Sequence, residues 1–568
     1  MKNLEIARIL NHIADILELQ EVQWKPQAYR KAAQAVEFLT EDIKDIYKRG
    51  ELEDIPGVGE HIAKKIEEIL KTGGLKYFTQ LKKQVKVDIE QLNMIPSLGP
   101  KKIKILYKKL GVKNVNDLES AIKKGKLETL SGFGKKTEAF LLEGIGIVKS
   151  RPKRFLYVQA LPIVNEIKEI FSKHDFVQKV EAAGSFRRGR ETIGDLDFIA
   201  VSNKPGEVMK IFTSLPDVKK IAAKGTTKSS IRLRNGLQVD LRVVKEKEFG
   251  SALLYFIGNK QHNIELRKIA LRKGYTLSEY GLFQREGKKW VAGRTEEEVY
   301  KRLRMQYIPP ELRQNRGELQ LALQNKLPKL VEKKDVQGVF HNHTAWSDGA
   351  NSISEMAQKA KQLGLKFISF NDHFGPLKVV NSLDERRLTS YLNAVEKVRK
   401  KSDIKIFSGV EIDILKDGSL PLSLKKLREL DVVIAAVHLA NKMPEKEMTK
   451  RFCHALEKYP VDILGHPTGR LLNQREPVNQ NLEMIFQTAK DCGVFLEING
   501  AGLRMDLNGE NVRAAKKIGC KFAISDDAHQ IETMQIDFGA LMSRRGGLEK
   551  KDILNCWTLP KIEKVLRK

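Results

Sequence analysis

Cysteine is scarce in this chain. Only four occur in 568 residues, namely Cys453, Cys492, Cys520 and Cys556. They are widely spaced and confined to the C-terminal part. That argues against a disulfide framework or a four-cysteine zinc site and points to a reducing, cytoplasmic setting. Long apolar runs are absent too. None reaches the ~18–20 residues needed to span a bilayer, and the opening MKNLEIARIL is not followed by a signal-peptide core, so no membrane partner is expected. Acid is in deficit. Against 72 Asp and Glu stand 101 Lys and Arg, a net charge of +29. Such an excess favours a polyanionic partner, nucleic acid first, although a generally Lys-rich surface gives the same arithmetic. Histidine is rare at 11 residues, which makes its placement informative. With 41% hydrophobic and 30% charged residues, the chain is globular and long enough for roughly three to five domains.

The texture changes along the chain. Residues 1–150 read as successive helices, with apolar residues every three or four positions in NLEIARILNHIADILELQ and QAYRKAAQAVEFL. From about 155 short β-type runs appear (KVEAAGSF, LDFIAVS, LQVDLRVV) with helices between them. Residues 316–335 are polar, Lys-rich and without a strand pattern, and read as a connector. Beyond 335, strand and helix alternate, the signature of a parallel α/β domain.

Three segments of the helical part repeat one design: a hydrophobic residue, a glycine turn and a basic helix. They are Ile55-Pro-Gly57-Val-Gly59-Glu-His-Ile-Ala-Lys-Lys, Ile95-Pro-Ser-Leu-Gly99-Pro-Lys101-Lys and Leu130-Ser-Gly132-Phe-Gly134-Lys-Lys. Glycine lets the backbone approach a phosphate. The following helix offers free N–H groups and its positive dipole end, and the lysines add charge without reading bases. The pattern resembles the helix-hairpin-helix motif and implies sequence-independent DNA binding.

The most informative stretch of the first half is Gly184-Ser185-Phe-Arg-Arg188-Gly-Arg-Glu-Thr-Ile-Gly-Asp195-Leu-Asp197. Two carboxylates two apart in a strand project from one sheet face and repel unless a cation lies between them. Asp240, in Gln-Val-Asp-Leu-Arg, supplies a third on another expected strand. Three such groups can hold two Mg²⁺ or Mn²⁺ ions for nucleotidyl transfer, while Gly184, Ser185 and Arg188 cradle phosphate oxygens. Alone, Asp-x-Asp is a common exposed strand edge. The Gly-Ser upstream and the later Asp make that reading inadequate.

Here the chain resembles the X family of DNA polymerases, within the nucleotidyltransferase superfamily. The narrower match is Tyr255-Phe256-Ile-Gly258-Asn-Lys-Gln-His-Asn263-Ile-Glu-Leu-Arg267, with Ile257-Gly258-Asn259 where the family usually has Thr-Gly-Ser. The resemblance implies that Tyr255 and Phe256 pack on the sugar and base of an incoming deoxynucleoside triphosphate, that Asn263 faces its minor-groove edge and that Arg267 faces the templating position. The N-terminal part resembles the family's lyase domain. Lys65 falls at the position of a Schiff-base lysine, and phosphate contact is the competing reading. Lys25, Tyr29 and Lys65 then form a pocket for a 5′-phosphate.

After residue 335 the histidines cluster at the ends of apolar runs. His341-Asn-His343, Asp348, Asn-Asp-His373, Glu411, His438, His466 and Asp526-Asp527-Ala-His529 follow six strand-like segments, and VFLEI near 494–498 makes a seventh. In a parallel barrel these ends share one rim. Converging imidazoles and carboxylates suit Zn²⁺, Mn²⁺ or Fe²⁺. This half resembles the polymerase and histidinol phosphatase (PHP) domain, a seven-stranded α/β barrel with up to three ions, Mn²⁺ or Zn²⁺. By resemblance, His341, His343, Glu411 and Asp527 hold one ion. Glu411, His438 and His466 hold a second, and Asp348, His373 and His529 a third, giving phosphoester hydrolysis. Asp526 is an alternative to Asp527, and Arg504 and Lys378 are candidate phosphate contacts.

The expected architecture is a helix-hairpin-helix end-binding domain (1–88) and fingers (89–150), an α/β nucleotidyltransferase palm (151–245) and a thumb (246–315). A linker (316–335) and a PHP barrel (336–568) complete it. The expected function is gap-filling DNA polymerisation on gapped or nicked DNA, by a monomer in the nucleoid, with 3′-end processing by the barrel (3′–5′ exonuclease, 3′-phosphatase or abasic-site cleavage). The rivals are a histidinol-phosphatase-type enzyme tethered to a DNA-binding half, and a non-catalytic scaffold for DNA ends.

Overall fold

The computed structural model describes residues 2–146, apart from 21, 38–42, 56, 73, 85–86, 94, 96–97, 128–129, 131–132, 135–136, 139–140 and 143, and residues 154–566. The chain divides into two compact units that part near residue 152.

The first unit is helical. Its opening helix α1 (Lys2–Leu19) buries Ile6, Leu10, Ile13 and Leu17, the stripe expected of three-to-four spacing. The glycine turns share one hydrogen-bond plan. The carbonyls of Ile55, Ile95 and Leu130 accept from the amides of Val58, Leu98 and Phe133 three residues on. Those of Gly59, Gly99 and Gly134 accept from Ile62, Lys102 and Thr137 as the next helix starts. Val58, Leu98 and Phe133 are buried. Each turn is thus pinned inward by its apolar residue while its glycine backbone stays outside. Gly132 lies outside the described residues.

In the second unit a five-stranded sheet comes first. It is built from β2 (Val177–Ala182), β4 (Asp195–Ser202), β5 (Val218–Lys224), β6 (Lys228–Leu233) and β7 (Gln238–Val244), in the order β2-β4-β7-β6-β5. A separate antiparallel pair joins β1 (Phe155–Leu156) to β3 (Thr192–Ile193), the latter falling between β2 and β4 in the chain. One sheet face packs Leu196, Phe198 and Leu241 under helices Tyr157–Ser172 and Pro205–Thr213. The other face packs Ile199 and Val201 against helix Phe249–Ile257. Next come helix Lys260–Arg272 and a small antiparallel sheet of β8 (Tyr275–Ser278), β9 (Gly281–Gln284) and β10 (Trp290–Ala292).

The stretch 316–335, a connector by composition, is not a free tether. It contains helix Glu318–Leu323, whose Leu319 and Ala322 join the same apolar cluster as Leu266, Ile269 and Leu303. Its Glu318 is buried against His262. A few apolar residues at helical spacing suffice to seat so short a helix.

Seven parallel strands then close a barrel in sequence order: β11 (Gly338–Asn342), β12 (Phe367–Phe374), β13 (Lys405–Asp413), β14 (Val432–Ala436), β15 (Ile463–Leu464), β16 (Phe495–Asn499) and β17 (Phe522–Ala528). Buried on both faces, these strands read as continuous apolar runs rather than as alternation. Phe340, Phe367, Phe407 and Phe495 pack together with Ile562 and Leu566 of the last helix.

Candidate active sites

Two constellations of charged side chains occupy the second unit. In the first, β4 and β7 run parallel, with Asp197 directly opposite Asp240 and Asp195 opposite Gln238. Burial, then the neighbouring Asp195 and Asp240, push the Asp197 carboxyl up to about 7. A cation between these carboxylates would relieve that repulsion. Gly184 sits at φ +60°, and a Cβ there would stand 2.6 Å from Asp197 Oδ2. Only glycine allows the turn to lie so close to that carboxylate. The amide of Ala183 donates to the Asp197 carbonyl at 2.7 Å, so the Gly184-Ser185 turn is tied to the strand that carries the acids.

Arg188 donates to the carbonyl of Ile257 and lies 3.4 Å from where a Cβ of Gly258 would be. Burial pushes its guanidinium down to about 10, still a cation at neutral pH. Tyr255 is exposed and meets Phe256 edge-on with ring centroids 5.0 Å apart. Asn263 Nδ2 donates to the Tyr255 carbonyl at 2.7 Å, and Arg267 Nε to the Asn263 carbonyl at 3.3 Å. The expected nucleotide residues thus form one connected group. Two further residues belong with it. Arg242 lies over the Phe256 ring at 4.5 Å and counters the Asp197 charge. Gln238 Nε2 donates to Asp240 at 3.3 Å. Gln238, Asp240 and Arg242 alternate along β7, a period that Gln-Val-Asp-Leu-Arg displays in the sequence.

The second constellation gathers at the carboxyl ends of the barrel strands. Glu411 is its centre. It lies 2.8 Å from His373 Nδ1, 2.8 Å from His466 Nε2, 3.2 Å from His438 Nε2 and 3.3 Å from His341 Nε2. Asp527 is 3.2 Å from His343 Nε2, and Asp348 is 3.3 Å from His529 Nε2. Three sets of ligand atoms converge tightly enough for a cation: His343, Asp348, His373 and His529; His341, His343 and Asp527; and His373, Glu411 and His438. The partition differs in detail from the one the family resemblance implies. His343 faces two sets, and His373 also joins Glu411 and His438, because both imidazoles stand between neighbouring strand ends.

The donor chemistry fits cations. His343 Nδ1 and His466 Nδ1 are buried without a hydrogen-bond partner, while His341 Nε2, His343 Nε2 and Glu411 Oε2 face neighbouring ligands at 2.8–3.3 Å without forming a well-aligned hydrogen bond, an arrangement costly in a protein that binds nothing there. Burial, then His529 and His373, push His343 down to about 3, so it is neutral, the form that ligates. His341, His466 and Asp527 hold φ values of +60°, +24° and +51°, left-handed backbone concentrated where a site must aim its side chains.

Sequence reasoning did not single out the residues behind the ligands. Glu497 accepts from His341 Nδ1 and Ser525 Oγ, each at 2.5 Å, and from the His466 amide. Asp413 holds His438 Nδ1 at 2.8 Å. Such partners fix the imidazole tautomer and aim. Asp526 points away and accepts from the Gln535 amide, which leaves Asp527 in the cluster. Arg504 Nε donates to Asp527 Oδ2 at 3.0 Å, with its Nη1 unpartnered. Lys378 lies on a short turn after β12.

In the first unit, Lys65 Nζ lies 5.1 Å from the Tyr77 ring centre, and burial and nearby Lys25 lower its pKa. Tyr29 is buried beside Tyr77, its hydroxyl pushed up to about 12. Lys101 falls in the helix Pro100–Leu110. Among the described residues no helix is long and apolar enough to cross a membrane.

Comparison with known proteins agrees with this layout. Residues 1–75 match a helix-hairpin-helix domain and 89–145 a tandem helix-hairpin-helix. Residues 252–314 match the DNA polymerase beta thumb, and 340–501 the PHP domain. The chain is 27% identical to DNA polymerase lambda of Rattus norvegicus over 54% of its length and 56% of that protein's. It is 31% identical to a probable phosphatase of Caldicellulosiruptor saccharolyticus over 33% of its length and 78% of that protein's. It is 35% identical to the DNA polymerase/3′-5′ exonuclease PolX of Bacillus subtilis over the full length of both chains. The chain belongs to the bacterial X-family DNA polymerases that carry a C-terminal PHP domain.

Proposed function

We propose that this polymerase fills short gaps during DNA repair in the cytoplasm, as a monomer on gapped or nicked DNA, and that its barrel trims or cleans the same 3′ end. The observation that carries the reading is the cross-strand pairing of Asp197 with Asp240, a carboxylate pair whose burial and mutual repulsion outweigh nearby Arg242 and Arg188 and push Asp197 up to about 7. Mg²⁺ or Mn²⁺ there, and up to three Mn²⁺ or Zn²⁺ ions in the barrel, supply Lewis-acid charge when bound. The chain's own residues do the rest. Asp195, Asp197 and Asp240 hold the cations and so orient the primer end. The Gly184-Ser185 turn and Arg188 bind the triphosphate. Tyr255 and Phe256 meet the sugar and base, and Asn263 and Arg267 read the nascent pair.

In the barrel, the nine expected ligands would hold the ions, whose charge would offset that of the phosphodiester, with Glu497 and Asp413 holding the imidazoles in aim. The unpartnered Arg504 Nη1 offers a donor to a phosphate oxygen. Lys25, Tyr29 and Lys65 receive the 5′-phosphate across the gap. The lowered pKa of Lys65 also suits Schiff-base lyase chemistry, and borohydride trapping on a 5′ abasic end distinguishes the two.

The test is one gel. A 5′-labelled primer on a one-nucleotide gap with a 5′-phosphate is incubated with Mn²⁺, with and without the matching deoxynucleotide. Single-nucleotide extension that Asp195→Ala abolishes is expected. Shortening without nucleotide that His343→Ala abolishes is expected as well. An unchanged primer in both lanes contradicts the reading. Parallel lanes with a 3′-phosphate and with an abasic site define which ends the barrel accepts.

A further inference from the structure

The phosphate-binding segment Gly184–Asp195 is gripped from outside its own sheet, by the barrel. Arg545, on the barrel helix Asp537–Gly546, is almost fully buried. Its Nη1 donates to Glu191 Oε2 at 2.8 Å and to the Gly189 carbonyl at 3.2 Å. Gly189 has φ +65°, and a Cβ there would stand 2.5 Å from Leu541 Cδ1, one helical turn before Arg545. Phe538 of the same helix meets Tyr157 edge-on at 5.7 Å, and Tyr157 stacks on Phe186 at 4.6 Å. Arg470 approaches the other oxygen of Glu191 at 3.9 Å, and Arg190 faces Glu510 at 3.7 Å. Burial alone would raise the Glu191 pKa, but Arg545 and Arg470 outweigh it and keep the carboxylate ionised.

The contacts to Gly189, Arg190 and Glu191 fall between Ser185 and Asp195, and the Phe538 contact reaches Phe186 through Tyr157. On its own side the turn that cradles the triphosphate is held at its start by Asp197, and further on by the core packing of Phe186, by Arg187 pairing with Glu181 at 3.1 Å and by Arg188 on the Ile257 carbonyl, while Gly189 and Glu191 are held by the barrel. A loop so short cannot hold a phosphate-binding backbone within tenths of an ångström unless something stiffens it. We infer that the barrel has a second role beyond hydrolysis. Through Arg545 acting on Glu191 and Gly189, it sets the position of the Gly184–Arg188 segment, so that Arg545 is a positioning residue for nucleotidyl transfer. This rests on the polymerase reading given above. Arg545 lies outside all three histidine and carboxylate sets of the barrel, so its effect on polymerisation is separable from hydrolysis.

Steady-state single-nucleotide gap filling and primer shortening are measured on the full chain, for wild type, Arg545→Met, Glu191→Gln, the double variant and Leu456→Ala. The last is a core truncation on helix Glu445–Lys458, remote from the segment, that controls for general loss of stability. The expected result for Arg545→Met is a nucleotide KM raised about tenfold or more, with shortening unchanged. Glu191→Gln should show the same split, and the double variant should be no worse than Arg545→Met, since both changes cut one link. Three results would overturn the inference: an unaltered KM in Arg545→Met, an equal rise in Leu456→Ala, or parallel loss of both activities in Arg545→Met and Glu191→Gln. Should Arg545→Met not fold, Glu191→Gln alone decides the matter by its KM. If wild type itself adds no nucleotide, the polymerase reading fails rather than this inference.

Discussion

Asp197 and Asp240 stand side by side on paired parallel strands, and Asp197 is driven toward its neutral form by burial and by its two acidic neighbours. The pairing holds like charges together in the metal-free protein. Asp197→Asn should therefore abolish extension yet stabilise the cation-free chain. A gain of about 1–2 kcal/mol is expected, read by urea unfolding at pH 8 with chelator. Loss of stability would mean that Asp197 is satisfied by the fold rather than by a ligand.

Gly184→Ala places a methyl group 2.6 Å from Asp197 Oδ2 at a residue whose φ is +60°. Extension should fall on the order of 100-fold, since displacement by about an ångström carries that cost. Primer shortening by the barrel should be unchanged. Ordinary extension by the variant would show that the turn does not shape the site.

Glu497→Gln leaves all nine expected ligands in place but weakens the hold on His341 and His466. Shortening activity and metal retention should each fall about 10–100-fold. Metal content after dialysis gives a readout independent of turnover. Full retention would make Glu497 a bystander.

His262 is buried, donating from Nδ1 to Glu318 and accepting from the Tyr300 hydroxyl at Nε2. Burial lowers its pKa below the usual 6.5. Its neutral form belongs to the fold, whereas the unfolded chain takes up a proton below pH ~6.5. Stability of this region is therefore complete above that pH and falls as pH drops below it. His262→Gln, which keeps a donor and an acceptor but does not titrate, should flatten the profile between pH 7 and 5. An identical slope in both proteins would assign the effect elsewhere.

Much of the chemistry was legible because it is local in sequence. Asp-x-Asp on a strand, glycine turns before basic helices, and histidines directly after apolar runs carry their meaning within a few residues. What escaped depends on closure of the chain upon itself. Glu497 meets His341 across 156 residues, and Arg545 meets Glu191 across 354. Neither is distinguishable from a surface charge until the barrel closes. Asp526 and Asp527 show the other limit: neighbours on a strand face opposite ways, and only the Asp-x-His spacing favoured the second. The connector was misleading because composition recorded its lysines, whereas Leu319, Ala322 and the buried Glu318 decide its packing.

The central claim is that one chain holds two separate catalytic centres acting on the same primer end. The most direct measurement follows a 5′-labelled primer whose last nucleotide is unpaired, set at a short gap, with Mn²⁺ and the matching deoxynucleotides. Wild type should shorten the primer and then extend it. Asp197→Ala should only shorten it, and His343→Ala should leave the unpaired end in place. Extension by His343→Ala at the wild-type rate, or failure of Asp197→Ala to shorten the primer, would contradict the account.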